Sequence, residues 1–241
     1  MSFVPVPNYD PSFLKDSTLI LPTVSIGNVP QLVSDLLIHT FKLERIGFLD
    51  SDALVPVSGV REDNSQTGVT VPLEVFQSKD HQWTCIQQRS PALKGKRQAF
   101  IDEITEFSAQ FRKVILLTSM DASRRMDNQI NGPPFRTWGK GEEVENAARI
   151  GVPQLELEES DKLDLPGSGL ASALYKSISG RVEATTMVIM FALEGDNVQD
   201  SIEYGNFVNT LLRINTELKG WTPPKSWEFL FGTPFNAELY Q

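Results

Sequence analysis

The feature that most constrains this chain is a set of short runs that are apolar at nearly every position: Thr18-Leu19-Ile20-Leu21, Val114-Ile115-Leu116-Leu117 and Thr185 to Leu193. A strand with one face in water alternates apolar and polar residues, whereas an unbroken run has to be covered on both faces. Segments with helical periodicity lie between these runs. After the loop Pro22 to Gly27, Asn28 is a suitable N-cap and Pro30 falls in the first turn, where its missing N–H costs nothing. Val29, Leu32, Val33, Leu36 and Leu37 then form one apolar face of a helix ending near Thr40. A second helix is expected from Lys96 to Phe111, with Phe100, Ile104, Phe107 and Phe111 on one stripe.

Further strands fit Arg45 to Leu49 and Leu54 to Val60, the latter weakened by Pro56. Val71 to Phe76 and Trp83 to Gln87 read as a hairpin around Ser78-Lys79-Asp80. Met120 to Gly169 is the least regular stretch, with a short helix expected at Glu142 to Arg149; another is expected at Leu170 to Ile178. The last helix is expected from Val198 to Leu218. Gly205 inside it costs about 1 kcal/mol relative to Ala, so a neighbour is expected to require a small residue there. Strand–helix alternation with a hairpin in the middle predicts a single-domain, three-layer α/β/α sandwich on a mixed, mostly parallel sheet. The expected divisions are an extended, Pro-rich arm over 1–15, an α/β domain over 16–232 and a tail over 233–241.

The chain has 241 residues and a formal charge of −9. That balance disfavours nucleic-acid binding, which needs a basic face. Cys85 is the single cysteine, so an intrachain disulfide is impossible; with only His39 and His81 beside it, Cys/His zinc sites are also unavailable. No apolar run reaches the ~20 residues of a membrane span, and Met1 to Pro7 lacks the basic and apolar regions of a signal peptide. The expected compartment is the cytoplasm, with the nucleus reached by diffusion or with a partner. No cofactor or metal is expected.

Catalytic chemistry has little to draw on. Ser25-Ile26-Gly27-Asn28 stands between a strand and a helix, where α/β proteins bind anions, but neither G-x-G-x-x-G nor G-x-x-x-x-G-K-S/T is present and a tight turn with a helix cap is the preferred reading. Asp121, Glu194 and Asp196 each follow a strand, the usual place for general acids, bases and metal ligands. Glu194-Gly195-Asp196-Asn197 is also a turn leading into a helix N-terminus that favours acidic residues. Arg124-Arg125 reads as an anion site or a solvated loop. His39 fits a helix C-terminus, His81 a solvated turn and Cys85 a small core position.

The C-terminus is more informative. Trp221 to Gly232 carries Trp221, Trp227, Phe229, Leu230 and Phe231 in a Pro- and Gly-punctuated segment that must pack on its own domain or on a partner. The chain then stops at Leu239-Tyr240-Gln241. A hydrophobic–Tyr–any-residue ending suits docking: the free carboxylate can meet a Lys, the Tyr can fill a slot and hydrogen-bond, and the Leu adds apolar area.

Several blocks resemble the proteasome assembly chaperone 2 family: Leu19-Ile20-Leu21-Pro22-Thr23-Val24-Ser25-Ile26-Gly27-Asn28-Val29, Arg45-Ile46-Gly47-Phe48 running into Leu54-Val55-Pro56-Val57, Glu194-Gly195-Asp196-Asn197 and Pro224 to Gly232. They occur in order over most of the chain, least clearly over Met120 to Gly169. The resemblance implies a three-layer fold related to phosphorylase- and hydrolase-like domains and a non-enzymatic chaperone. It further implies pairing with proteasome assembly chaperone 1 and binding of proteasome α-subunits, promoting α-ring formation and preventing premature ring dimerisation. Leu239, Tyr240 and Gln241 match the tail with which some members enter a pocket between α-subunits. The partner face is expected along helix two and the C-terminal aromatic segment. The rival readings are an α/β hydrolase- or phosphorylase-like enzyme using Asn28 with Asp121 or Glu194, and a scaffold binding a peptide on a sheet edge.

Overall fold

In each apolar run, successive side chains leave the backbone on opposite sides, and both sides are dry. The computed structural model describes residues 2–61, 68–156, 163–229 and 232. Leu19 and Leu21 enter one core while Ile20 enters the other; Val114 and Leu116 are likewise divided from Ile115 and Leu117, and Met187, Ile189 and Phe191 from Val188, Met190 and Ala192. Two cores separated by one sheet make the three layers expected from the runs.

The elements in chain order are β1 (Ser2–Pro5), β2 (Thr18–Pro22), α1 (Val29–Thr40), β3 (Glu44–Asp50), β4 (Gly59–Val60), β5 (Val69–Thr70), β6 (Leu73–Gln77), β7 (Trp83–Gln88), α2 (Arg97–Ser108), β8 (Lys113–Asp121), α3 (Asp127–Ile130), β9 (Phe135–Gly139), α4 (Glu142–Arg149), α5 (Ala171–Ser179), β10 (Thr185–Ala192) and α6 (Val198–Leu212). Eight strands form one sheet in the order β1-β3-β6-β7-β2-β8-β10-β9, and β4 and β5 form a separate ribbon. The mixed sheet is parallel at its centre, where β7, β2, β8 and β10 lie side by side. Its flanks are antiparallel, through β6, β3 and β1 on one side and β9 on the other. Helices α2 and α5 cover one face, and α1, α4 and α6 the other. No helix among the described residues is long and apolar enough to cross a membrane.

Several elements differ from expectation for identifiable reasons. The Pro-rich start is extended, but Ser2–Pro5 is paired to β3 as an edge strand, and Leu14 is buried in the core, so residues 2–15 are built into the fold rather than projecting as an arm. Leu54 to Val60 is not a strand of the sheet. Leu54 makes a single bridge to Ala92, and Gly59–Val60 pairs only with Val69–Thr70. Asn28 precedes α1 in the left-handed region (φ 52°) and its side chain makes no cap bond. Helix α6 stops at Leu212 because Arg213 turns left-handed (φ 53°), and the Asn209 amide holds Asn215 through two hydrogen bonds of 2.9 and 2.8 Å. Strand β9, inside the stretch expected to be irregular, pairs antiparallel with β10. Its Arg136 is buried against Glu156 (3.0 Å) and the Phe191 ring.

Tyr204 of α6 ties two central strands together. Its buried hydroxyl donates to the Val188 carbonyl (2.6 Å), accepts from the Thr118 N–H (3.2 Å) and has the Thr118 carbonyl at 3.1 Å. The expected outcome for Tyr204→Phe is a loss of about 1–3 kcal/mol, because buried polar groups on β8 and β10 lose their partner without a change of shape. Urea denaturation measures it; unchanged stability would show that the hydroxyl is dispensable.

Candidate functional site

The carboxyl ends of the parallel strands are filled by the chain itself. Thr23, just after β2, donates to Thr118 Oγ1 (2.9 Å), and Ser25 Oγ bonds Ser119 Oγ (2.8 Å), which also bonds the Ile26 carbonyl (2.6 Å). Gly27 sits at φ 69°, and a Cβ there would stand 2.6 Å from Asn197 Nδ2. The turn therefore closes against the start of α6, and only glycine fits. The acidic groups following the strands serve turns: Asp121 accepts from the Ser123 N–H (2.9 Å) and Asp196 from the Val198 N–H (3.1 Å). The duty of Asp196 was legible as turn and cap chemistry; that of Asp121 was not read from the sequence. Glu194 is exposed. A cavity of about 150 Å³ at these strand ends is lined by Thr23, Val24, Gln88, Phe100 and Leu174, and by none of Asn28, Asp121 or Glu194.

The other sequence candidates have local partners. Arg125 stacks over Phe191 at 4.6 Å rather than standing in a solvated loop. His81 bonds Gln77 Oε1 through Nδ1 (2.8 Å) and stacks on Phe13. His39 lies in the last turn of α1. Cys85 is buried, and burial pushes its thiol up to about 12, so it is no thiolate. Among the described residues, no three His, Cys, Asp or Glu side chains are placed to hold a metal ion.

The built feature is the mount of the C-terminus. Trp221 crosses Gly205 of α6 so closely that a Cβ would meet Trp221 Cζ2 at 2.9 Å. This is the neighbour that requires the glycine. The same indole meets Phe41 edge-on (5.8 Å) and donates to Asn206 Oδ1 (2.8 Å). The Thr222 N–H donates to Thr40 Oγ1 (2.9 Å), and Pro224 is buried. In the short turn Lys225–Phe229, Trp227 Nε1 donates to Asp35 Oδ2 (3.3 Å). Two tryptophans thus staple the segment across α1 and α6, each half-buried.

Asp35 is the residue that sequence reasoning missed. It lies on α1 beneath the segment and also accepts from Gln87 Nε2, which donates in turn to the Gln31 carbonyl (3.1 Å). Burial pushes its carboxyl up, against the opposing pull of Arg89, the Gln87 and Trp227 donors and His39. The available signal was an acid at position 35, beside the apolar stripe of α1. The expected partner face along helix two is absent in its apolar part, since Phe100, Ile101, Ile104 and Phe107 are buried in the core. Leu239, Tyr240 and Gln241 lie outside the described residues, as do Leu230 and Phe231.

Two outcomes are expected of this mount. Gly205→Ala, ordinarily worth about 1 kcal/mol of helix stability, gains nothing here and displaces Trp221, read by indole fluorescence and by faster proteolysis after Lys219. For Asp35, the folded state holds the proton more tightly than the unfolded chain. Its contribution is therefore fully present below the ordinary Asp range and is lost as pH rises through the raised folded value. The stability of the wild type minus that of Asp35→Asn, from urea midpoints, is expected to fall as pH rises from about 4 towards 7. A flat or rising difference would contradict the burial of the carboxylate.

Comparison with known proteins agrees with this architecture. The family model described as PAC2 family matches residues 19–204. Proteasome assembly chaperone 2 of Xenopus tropicalis is 31% identical, covering 99% of this chain and 100% of that protein. Its counterpart in Homo sapiens is 28% identical over the same shares. Among solved structures, Pyrococcus furiosus PbaA, described as an archaeal homolog of proteasome-assembly chaperone, superposes with a TM-score of 0.62 at 16% identity, covering 86% of this chain and 85% of that one. Pyrococcus furiosus PbaB, described as an archaeal proteasome activator, superposes with 0.61 at 14% identity, over 90% of each chain. At such identities the structural likeness establishes the fold alone. On the family match and the full-length relatives, the chain belongs to the PAC2 family.

Proposed function

We propose that this chain is a proteasome assembly chaperone that works by binding rather than by catalysis. It pairs with proteasome assembly chaperone 1, and the heterodimer holds α-subunits while the ring forms and keeps rings from dimerising early. The cytoplasm, with access to the nucleus, is the compartment where this work is done. The observation that carries the proposal is the end-to-end match to relatives named proteasome assembly chaperone 2. The self-filled strand ends support it, because the hydroxyls there bond one another and Asp121 and Asp196 bond backbone amides.

The tail follows from the mount. Segment 221–229 is held on α1 and α6, so the residues that follow it start from a defined place. In this account the Gln241 carboxylate pairs with a lysine in a pocket between α-subunits, Tyr240 orders the pocket edge and Leu239 fills apolar space. One short tail is a weak ligand. Joined to the partner's contacts it gains through effective concentration, by roughly 10²–10⁴, and remains releasable when the ring matures.

The test is affinity purification of the full chain tagged at its N-terminus, so that Gln241 stays free. α-Subunits and one further α/β chaperone are expected in the eluate. Deleting Leu239 to Gln241 is expected to cut α-subunit recovery at least tenfold while the chaperone pair survives. Unchanged recovery would overturn the role given to the tail, and recovery of neither partner would overturn the function.

A further inference from the structure

The mount borders a groove of about 710 Å³ whose charge opposes that of the chain as a whole. Its walls are the C-terminal half of α1, the β3–β6 flank of the sheet, the β4–β5 ribbon, and Pro224 and Ser226 of the stapled segment. Five cations line it: Lys42, Arg45, Arg61, Lys79 and Arg89. Among the described residues three carboxylates, Asp35, Glu44 and Glu74, line it with them, fewer than the cations. Glu74 is buried and shared between Arg45 (2.8 Å) and Arg89 (3.0 Å), so one carboxylate answers two guanidinium groups. Glu44 meets Lys79 at 3.5 Å with both side chains mostly exposed, a pair that binds weakly in water. Asp35 is held under the Trp227 indole.

Lys42 makes no hydrogen bond or ion pair among the described residues, and it is exposed at the mouth. A basic groove on a chain of net charge −9 is a local concentration of field of the kind that steers an acidic partner. Its floor and rim are apolar as well as charged. Ile38, Leu43 and Phe76 line it, and Val60, 91% exposed, stands opposite Val69 on the ribbon. The ribbon is itself tied to the sheet by Arg45 Nη1 donating to the Val69 carbonyl (3.0 Å). An open trough with cations along its walls and apolar side chains between them fits an extended polypeptide carrying both acidic and apolar side chains.

We infer that this groove binds an acidic segment on the surface of the proteasome α-subunit that receives the tail. The inference rests on the function proposed above: Pro224 and Ser226 form one wall, and the chain between them and the tail is short, so a partner gripped by the tail is held within reach of the groove, at most on the order of 50 Å away. The groove and the tail are then two contacts on one partner. The groove supplies charge-steered encounter, and the tail supplies the pocket-filling contact that slows release.

The experiment measures association of the full-length heterodimer with purified α-subunits at two or more salt concentrations. Three variants are compared: Lys42→Glu with Lys79→Glu, Lys140→Glu with Lys176→Glu as a control of equal charge change elsewhere, and Tyr240→Ala in the tail. All four lysines are exposed, so the fold is not at stake. The groove variant is expected to associate about tenfold more slowly at low salt and to lose most of its salt dependence. The control is expected to do neither, and Tyr240→Ala to keep the salt dependence while dissociating faster. A groove variant that behaves as wild type, or a control that loses as much, would overturn the inference. If the groove variant is unaffected while Tyr240→Ala dissociates faster, the inference fails and the tail reading stands; the opposite pattern sinks the tail and leaves the groove. Lys42 and Lys79 are also expected to react freely with an amine label in the unbound heterodimer. If they are protected there and Tyr240→Ala exposes them, the chain's own tail is the occupant, and the inference is overturned.

Discussion

Four central strands with no wet face are the constraint on which the rest of this structure depends. Strands β7, β2, β8 and β10 can be covered only from both sides, so helices must return to each face, and the chain closes on itself at the carboxyl ends where they do. Tyr204 shows how specific that closure is. A single hydroxyl from α6 reaches polar backbone on β8 and β10, fixing the helix against the pair. With α6 fixed, Gly205 one residue later becomes the seat for Trp221, and the C-terminal segment inherits its position from the core.

The consequence for function is a displacement of the interesting surface. In many α/β proteins the strand ends are the working site. Here Thr23, Ser25, Thr118 and Ser119 satisfy one another, and Asn197 closes over Gly27. The elaborated surface lies instead along α1, where Asp35, Trp227 and the basic groove meet. Such an arrangement suits a protein whose proposed work is to hold others: a mount held on two helices, with a charged trough beside it.

Much of this was legible in the sequence because the central strands obey simple patterning. The runs at Leu19, Val114 and Thr185, the stripe of α2 and the hairpin at Ser78 all appear where periodicity put them. Edges were harder. Strand β9 carries Arg136, whose burial depends on Glu156 and the Phe191 ring, a tertiary condition that no local pattern announces. The ribbon at Gly59 and the strand at Ser2 are short and find partners far along the chain. At the mount, the cost of Gly205 pointed correctly to a close neighbour, while the identity of that neighbour, sixteen residues away, needed the fold. Asp35 gave only a weak signal, an acid beside the apolar stripe of α1, which looks like any other until Trp227 is laid over it.

In the proposed function, the stapled segment presents the chain's end to a proteasome α-subunit. A photo-crosslinking amino acid placed at position 240 of the full-length heterodimer, irradiated with assembling α-subunits and mapped by mass spectrometry, tests it most directly. Crosslinks to an α-subunit, at a site beside a lysine, are expected. Crosslinks confined to this chain's own groove, or to the partner chaperone, would contradict it.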